Sequence, residues 1–204
     1  MHISEGVLSG SVLISGGVLA AAGTAIGLKK LDYDRIAHVS ILSASFFVAS
    51  LIHVPVGPSN VHLVLNGIVG LLLGWAAFPA ILIALLLQAV LFQFGGITSL
   101  GINTMIMALP SIICYCLFRS VILKKPAAAF ISAFACGFFS VFLSAVLAGL
   151  ALMTTDENFM EIAVLVVVAH FPVMIIEGII TAFFISFIKK VQPSILPGFL
   201  AEGN

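Results

Sequence analysis

The chemistry open to this chain of 204 residues is concentrated in its five histidines, and the first of them follows the initiating methionine. At a free N-terminus, the Met1 amine and a deprotonated His2 backbone nitrogen close a five-membered chelate ring on a metal ion. That same backbone nitrogen and the His2 Nδ1 close a six-membered ring. Three nitrogens then share a plane, and one more imidazole completes a square. Square-planar nitrogen sets suit Ni(II) and Cu(II), whereas Zn(II) favours a tetrahedron. Two residues alone are also what a frayed, exposed terminus looks like, so the remaining histidines have to decide. His62 is the candidate for the fourth nitrogen. His53 lies just before Val-Pro-Val-Gly-Pro and reads as a helix-end residue at an interface. His38, close to Arg35, reads as interfacial too. His170 has Glu177 seven residues on, hence on the same helical face, and the two are candidates for gating or for supporting a site.

The elements that position these residues lie in a membrane. Hydrophobic residues make up 62% of the chain and charged residues only 8%, against roughly 25% in an average soluble domain. No formally charged residue occurs between Arg35 and Arg119. A soluble domain is excluded on this composition. Net charge is zero and no basic run exceeds two residues, which excludes a nucleic-acid-binding or disordered chain. Cys114, Cys116 and Cys136 fall in apolar segments and read as small buried hydrophobes. Cys114 and Cys116, two apart, point to different sides of a helix, which argues against a shared metal.

Breaks at Gly, Pro and charge clusters divide the chain into seven apolar segments, at about residues 7–28, 36–53, 61–75, 78–94, 103–123, 127–153 and 159–188. This predicts an all-α membrane protein, a seven-transmembrane-helix bundle forming one domain over residues 1–204. Cytoplasmic loops are enriched in Lys and Arg. Seven spans with the N-terminus outside put all eight basic residues on the cytoplasmic side: Lys29, Lys30, Arg35, Arg119, Lys124, Lys125, Lys189 and Lys190. The C-terminus is then cytoplasmic, and Glu5, Asp156 and Glu157 lie outside. His62 opens the third segment on the side of Met1, so it reaches the chelate without the N-terminus crossing the bilayer. No basic region precedes the first apolar run, so no cleavable signal is expected. Met1 is expected to be retained before the bulky His2.

At this point the sequence resembles a known family. Met-His-Ile-Ser-Glu-Gly at residues 1–6 is similar to the N-terminal signature of the CbiM/NikM proteins, the substrate-binding membrane subunits of energy-coupling factor transporters for cobalt and nickel. The likeness continues through Val-Pro-Val-Gly-Pro-Ser-Asn-Val-His-Leu at 54–63, Leu-Gln-Ala at 87–89 and Gly-Gly-Ile-Thr-Ser-Leu-Gly-Ile-Asn-Thr at 95–104. It ends with His-Phe-Pro at 170–172 and Glu-Gly at 177–178. The resemblance implies an extra N-terminal helix (about 7–28) added to a six-helix core (about 36–188). It implies a transported Ni2+ or Co2+ held by nitrogens of Met1, His2 and His62, with no permanent cofactor. It also implies residence in the cell membrane and three kinds of partner: a transmembrane coupling subunit, a cytoplasmic ATPase pair and a small accessory membrane subunit.

Further roles follow from position. Glu5 is a candidate to orient His2 or neutralise charge, and Ser59, Asn60 and Asn103 are outer-side polar groups that could do likewise. The Gly-rich loop 95–101 is expected to cover the site. Small-residue stripes, Gly16/Ala20/Gly23 and Ala21/Ala25, are expected to meet the coupling subunit. Inward release is expected to need a partner-driven reorientation. No Gly-x4-Gly-Lys-Ser/Thr loop is present, so ATP hydrolysis is assigned to partners and the chain is not expected to be an enzyme. No His-Glu-x-x-His motif or buried aspartate pair supports an intramembrane protease. A binding subunit for a small organic solute such as a vitamin is the alternative. It would want a larger polar or aromatic pocket than one Trp and two Tyr offer.

Overall fold

The structure is a computed structural model that describes residues 3–56, 59–124 and 126–196, without the side chains of 53–56 and 59–61. Its helices are α1 Gly10–Lys29, α2 Ile36–Ala49, α3 Asn66–Leu73, α4 Ala77–Phe92, α5 Leu100–Ile122, α6 Pro126–Met153, α7 Met160–Ala169 and α8 Phe171–Val191. Between α2 and α3 the chain forms an antiparallel hairpin, β1 His53–Val56 and β2 Ser59–His62. Among the described residues, five helical stretches are long and apolar enough to cross a membrane. Their outward faces carry bare aliphatic and aromatic side chains, such as Ile14, Val18, Ile131, Val168 and Phe183, each more than 60% exposed. In a soluble protein such surface would aggregate, whereas in a bilayer it meets lipid.

Seven complete spanning helices are therefore not found among the described residues. Helix α2 has 14 residues and α3 only 8, about 21 Å and 12 Å at 1.5 Å per residue, short of a hydrocarbon core of about 30 Å. The segment expected to begin a third helix near Val61 is instead a strand. The last expected helix is divided at His170 into α7 and α8, where Pro172 lacks an amide hydrogen and suits a first turn.

The stretch Asn66–Phe92 has the length of one span but reverses inside it. Gly74 adopts φ 54°, ψ −126°, a conformation closed to residues with a Cβ. Before it, Gly70 lies against Ser111 and Gly74 against Tyr115, so α3 runs in the direction of α5. After it, Gly27 of α1 lies against Trp75 and Pro79, and the chain beyond α4 returns to residue 5, where the Glu5 N–H donates to Gly95 O at 3.0 Å. Helices α3 and α4 thus form a helical hairpin.

The glycine and alanine stripe of α1 packs inside this chain. Gly16 abuts Ile102, Gly23 abuts the Phe78 ring, and Ala20 is buried with them. The expectation that Gly16, Ala20 and Gly23 meet another subunit is corrected: close helix approach needs small residues, and α4 and α5 already occupy that groove. Ala21 and Ala25 remain exposed. The basic residues collect at one end of the bundle. Lys30 sits 4.7 Å above the Trp75 ring, Arg35 donates to Ile195 O at 2.9 Å, and Lys189 donates to Ile122 O at 2.7 Å. Residues 3–9, 93–99 and 154–155 meet at the other end, where the Ser9 N–H donates to Thr155 Oγ1.

Candidate functional site

Met1 and His2 lie outside the described residues, but the backbone leading to them is held firmly. The Ile3 N–H donates to Asn103 Oδ1 at 3.0 Å, and Asn103 Nδ2 donates back to Ile3 O at 3.0 Å. The carboxamide thereby pairs with residue 3 as a neighbouring strand would, satisfying both backbone groups of a buried position. Asn103 is itself 2% exposed, and its Nδ2 also donates to Ser99 Oγ at 3.2 Å. Ile3 belongs to the buried apolar cluster that also includes Phe46 and Val64. Asn103 is one of the outer-side polar groups singled out above, and its partners are the main chain of Ile3 and the Ser99 hydroxyl.

Glu5 was expected to serve His2. His2 lies outside the described residues, and the Glu5 side chain secures the Gly-rich loop: Glu5 Oε1 accepts from the Thr98 N–H at 3.0 Å and from the Thr98 hydroxyl at 3.3 Å. The loop can close on the carboxylate because Gly96, at φ +139°, has no Cβ; any Cβ there would overlap the Glu5 side chain. The Thr98 N–H foremost, and then its hydroxyl, hold the Glu5 carboxyl below the usual carboxylate range. A lowered folded-state pKa stabilises docking above the ordinary pKa, and this contribution is lost as pH falls through the lowered value. Amide-exchange protection at Ile3 and Glu5 is therefore expected to be flat from about pH 8 to about pH 5 and to fall below about pH 4. In Glu5→Gln that acid limb should vanish; an identical limb in the variant would show that another group causes it.

His62 ends β2 and is 4% exposed. Its Nδ1 lies 3.1 Å from Leu63 O. A carbonyl only accepts, so Nδ1 carries the proton and the lone pair is on Nε2. Liganding histidines commonly have this arrangement, one ring nitrogen fixed by a carbonyl and the other presented to the metal. The strand register sets His53 opposite His62, which corrects the reading of His53 as a helix-end residue. His38 is exposed, in keeping with an interfacial position. Ser59 and Asn60 are in β2 opposite Val56 and Pro55.

His170 and Glu177 share a face of α8 but do not pair with each other. His170 Nδ1 donates to Val166 O at 2.7 Å, and its buried Nε2 has no hydrogen-bond partner among the described residues. The ring is close enough to His62 for the two to interact electrostatically. Glu177, fully buried, reaches the backbone just beyond His62: its Oε1 accepts from the Val64 N–H and, at 2.8 Å, from the Leu65 N–H. Leu65 has φ 53°, a left-handed conformation that a leucine adopts only under constraint. Below it, Asn66 Nδ2 donates to Ser144 Oγ at 2.9 Å, and Gln88 Nε2 donates to Ser50 Oγ. Asn66 and Gln88 are both fully buried. Neither was singled out as a functional residue from the sequence, although a carboxamide within an uncharged apolar stretch is itself a signal of a specific buried partner.

Among the described residues no group of three or more His, Cys, Asp or Glu can hold a metal ion. The described part of the molecule instead supplies one oriented imidazole, His62, and a clamp that fixes the chain two residues from its start.

The chain matches the family described as "Cobalt uptake substrate-specific transmembrane region" over residues 2–195. A Haemophilus influenzae protein named for metal transport is 43% identical over 199 residues, covering 96% of this chain and 97% of that one. The fused nickel transport protein NikMN of Rhodobacter capsulatus is 37% identical over 114 residues, which are 53% of this chain and 33% of that one. A crystal structure of a transition metal transporter shares the fold with a TM-score of 0.76 at 26% identity, over 95% of this chain and 94% of that one.

Proposed function

Given that the chain belongs to the family of cobalt-uptake substrate-specific transmembrane regions, a multi-pass membrane component of transition-metal transport, we propose that it captures Ni(II) or Co(II) at the outer face of the cell membrane. It passes the ion inward as the substrate-binding subunit of an ATP-driven energy-coupling factor importer. The ion is cargo, bound by the Met1 amine, the His2 backbone and imidazole nitrogens, and His62. The observation that carries this reading is the reciprocal pairing of Asn103 with Ile3. An exposed terminus with no task needs no buried carboxamide, and two residues extend at most about 7 Å beyond an anchored Ile3. Ser59 and Asn60, which precede His62 in β2, are assigned to the same site, and so is His170, which precedes α8 and interacts electrostatically with His62.

In this reading residues 1–204 form one membrane-embedded unit, with the N-terminus outside and the C-terminus in the cytoplasm. The gathering of basic residues at one end supports the orientation. A coupling subunit, a pair of ATPases and a small accessory membrane subunit complete the transporter and supply the ATP hydrolysis.

Elemental analysis of the purified full chain after exposure to nickel or cobalt tests the reading. One ion per chain is expected, with a yellow low-spin band for nickel, and Cu(II) is expected to compete most strongly because it heads the Irving–Williams order. A chain that takes up no metal would overturn the reading and turn attention to an organic solute.

A further inference from the structure

We propose that Glu177 is a positioning residue of the metal site: its carboxylate oxygen holds the bend at Val64 and Leu65, and the bend aims His62. The inference rests on the reading of His62 as a ligand, and it adds how the chain keeps that imidazole in place. The hairpin β1–β2 is short and ends at His62 itself. Helix α3 begins only at Asn66. The intervening residues 63–65 therefore belong to no ladder that could fix them. They turn sharply, with Leu65 at φ 53°, where a Cβ makes the conformation unfavourable. A single atom, Glu177 Oε1, accepts both the Val64 and the Leu65 N–H.

The clamp also bears on the imidazole directly. His62 Nδ1 donates to Leu63 O, and Leu63 O belongs to the peptide unit whose N–H is that of Val64. Holding the Val64 N–H thus orients the carbonyl that fixes the His62 tautomer and ring plane. Glu177 is in turn rigidly mounted. Gly137 of α6 packs against the Glu177 carbonyl, and Gly178 against the Phe134 ring, so α8 cannot slide without disrupting the α6 contact. The chain of support runs from the α6–α8 interface through one carboxylate to the ligand.

Two conservative variants separate positioning from charge. Glu177→Gln keeps an acceptor oxygen at the same reach and removes the charge, whereas Glu177→Asp keeps the charge and withdraws the acceptor by one methylene. Nickel affinity is to be measured on the full chain in detergent, with the native chain alongside. Glu177→Gln is expected to stay within about threefold of native and Glu177→Asp to weaken by about tenfold or more, the scale on which loss of a group orienting a liganding histidine is felt. A shift of the nickel absorption band in Glu177→Asp alone would accompany a misaimed imidazole.

Native-like binding by both variants, weakening of both, or weakening of Glu177→Gln alone would each overturn the positioning role. Should Glu177→Asp not fold, Glu177→Ala, which removes the acceptor, takes its place: a tenfold loss there with native-like Glu177→Gln supports the role, and native-like affinity in Glu177→Ala or a tenfold loss in Glu177→Gln removes it. A native chain that binds no nickel would overturn the transport reading and this inference with it, whereas native binding with an unaffected Glu177→Asp overturns only the inference.

Discussion

Replacing His62 with alanine is expected to lower nickel affinity at least about a hundredfold in the native chain, and to have almost no effect once a leucine, bulky enough to keep Met1 in place, is inserted between Met1 and His2. The contrast follows from counting nitrogens. In the native sequence the amine, one backbone nitrogen and the His2 Nδ1 close a five- and a six-membered ring, leaving one corner of the square for His62. With a leucine inserted, the methionine stays and the histidine becomes the third residue. The amine, two backbone nitrogens and the imidazole then fill all four corners, and no other residue is needed. Direct loss of a ligand should exceed the tenfold to hundredfold cost of losing a group that merely orients one. The inserted chain should therefore bind nickel while releasing His62, and should fail in uptake, because its ion is no longer tied to the bundle. If His62→Ala binds nickel as well as the native chain does, His62 is not the fourth donor. If the inserted chain still depends on His62, the chelate is not the one drawn from Met1 and His2.

The features legible in the sequence were those set by composition and by local chemistry. Helices α1, α5 and α6 follow from unbroken apolar runs that end near Lys29, Ile122 and Met153. His62, Asn103, His170 and Glu177 stood out because a polar side chain in such a run needs a partner. What escaped was pairing over long sequence distance. The run Val-Pro-Val-Gly-Pro-Ser-Asn-Val-His reads as a turn because two prolines cannot serve a central strand. A two-stranded hairpin, however, has only edges, and Val54 and Val61 find each other there. The reversal at Gly74 depends on a backbone angle, and only the neighbouring Pro79 hinted at a break. Spacing placed Glu177 on one helical face with His170, because helical periodicity is all that sequence spacing reveals. Its actual partners, Val64 and Leu65, lie more than a hundred residues away. Likewise Glu5 lies in sequence beside His2, yet its carboxylate serves Thr98.

Substituting Asn103 with leucine is expected to weaken nickel binding by about a hundredfold while leaving the bundle folded. The side chains are similar in size, so packing around α5 is largely kept. The reciprocal bonds to Ile3 are lost, and with them the only described partners of the Ile3 N–H and carbonyl. A buried amide left unpaired costs about 1–3 kcal/mol, and two such groups put the docked terminus at a disadvantage of about 3 kcal/mol. The segment is then free to leave its groove, and at 1.4 kcal/mol per decade the penalty corresponds to about two orders of magnitude in affinity. Thr98→Val supplies the comparison. It removes the hydroxyl bond to Glu5 at an exposed site but keeps the backbone one, and exposed hydrogen bonds compete with water, so less than a threefold change is expected there. Measured together, the two variants locate the anchor: equal losses would assign it to the Gly-rich loop, and native affinity in Asn103→Leu would mean that the metal is not held through the segment that Asn103 fixes. The predicted order, a large loss at the buried carboxamide and a small one at the exposed hydroxyl, treats Asn103 as the link between the membrane bundle and the terminus that supplies the chelate.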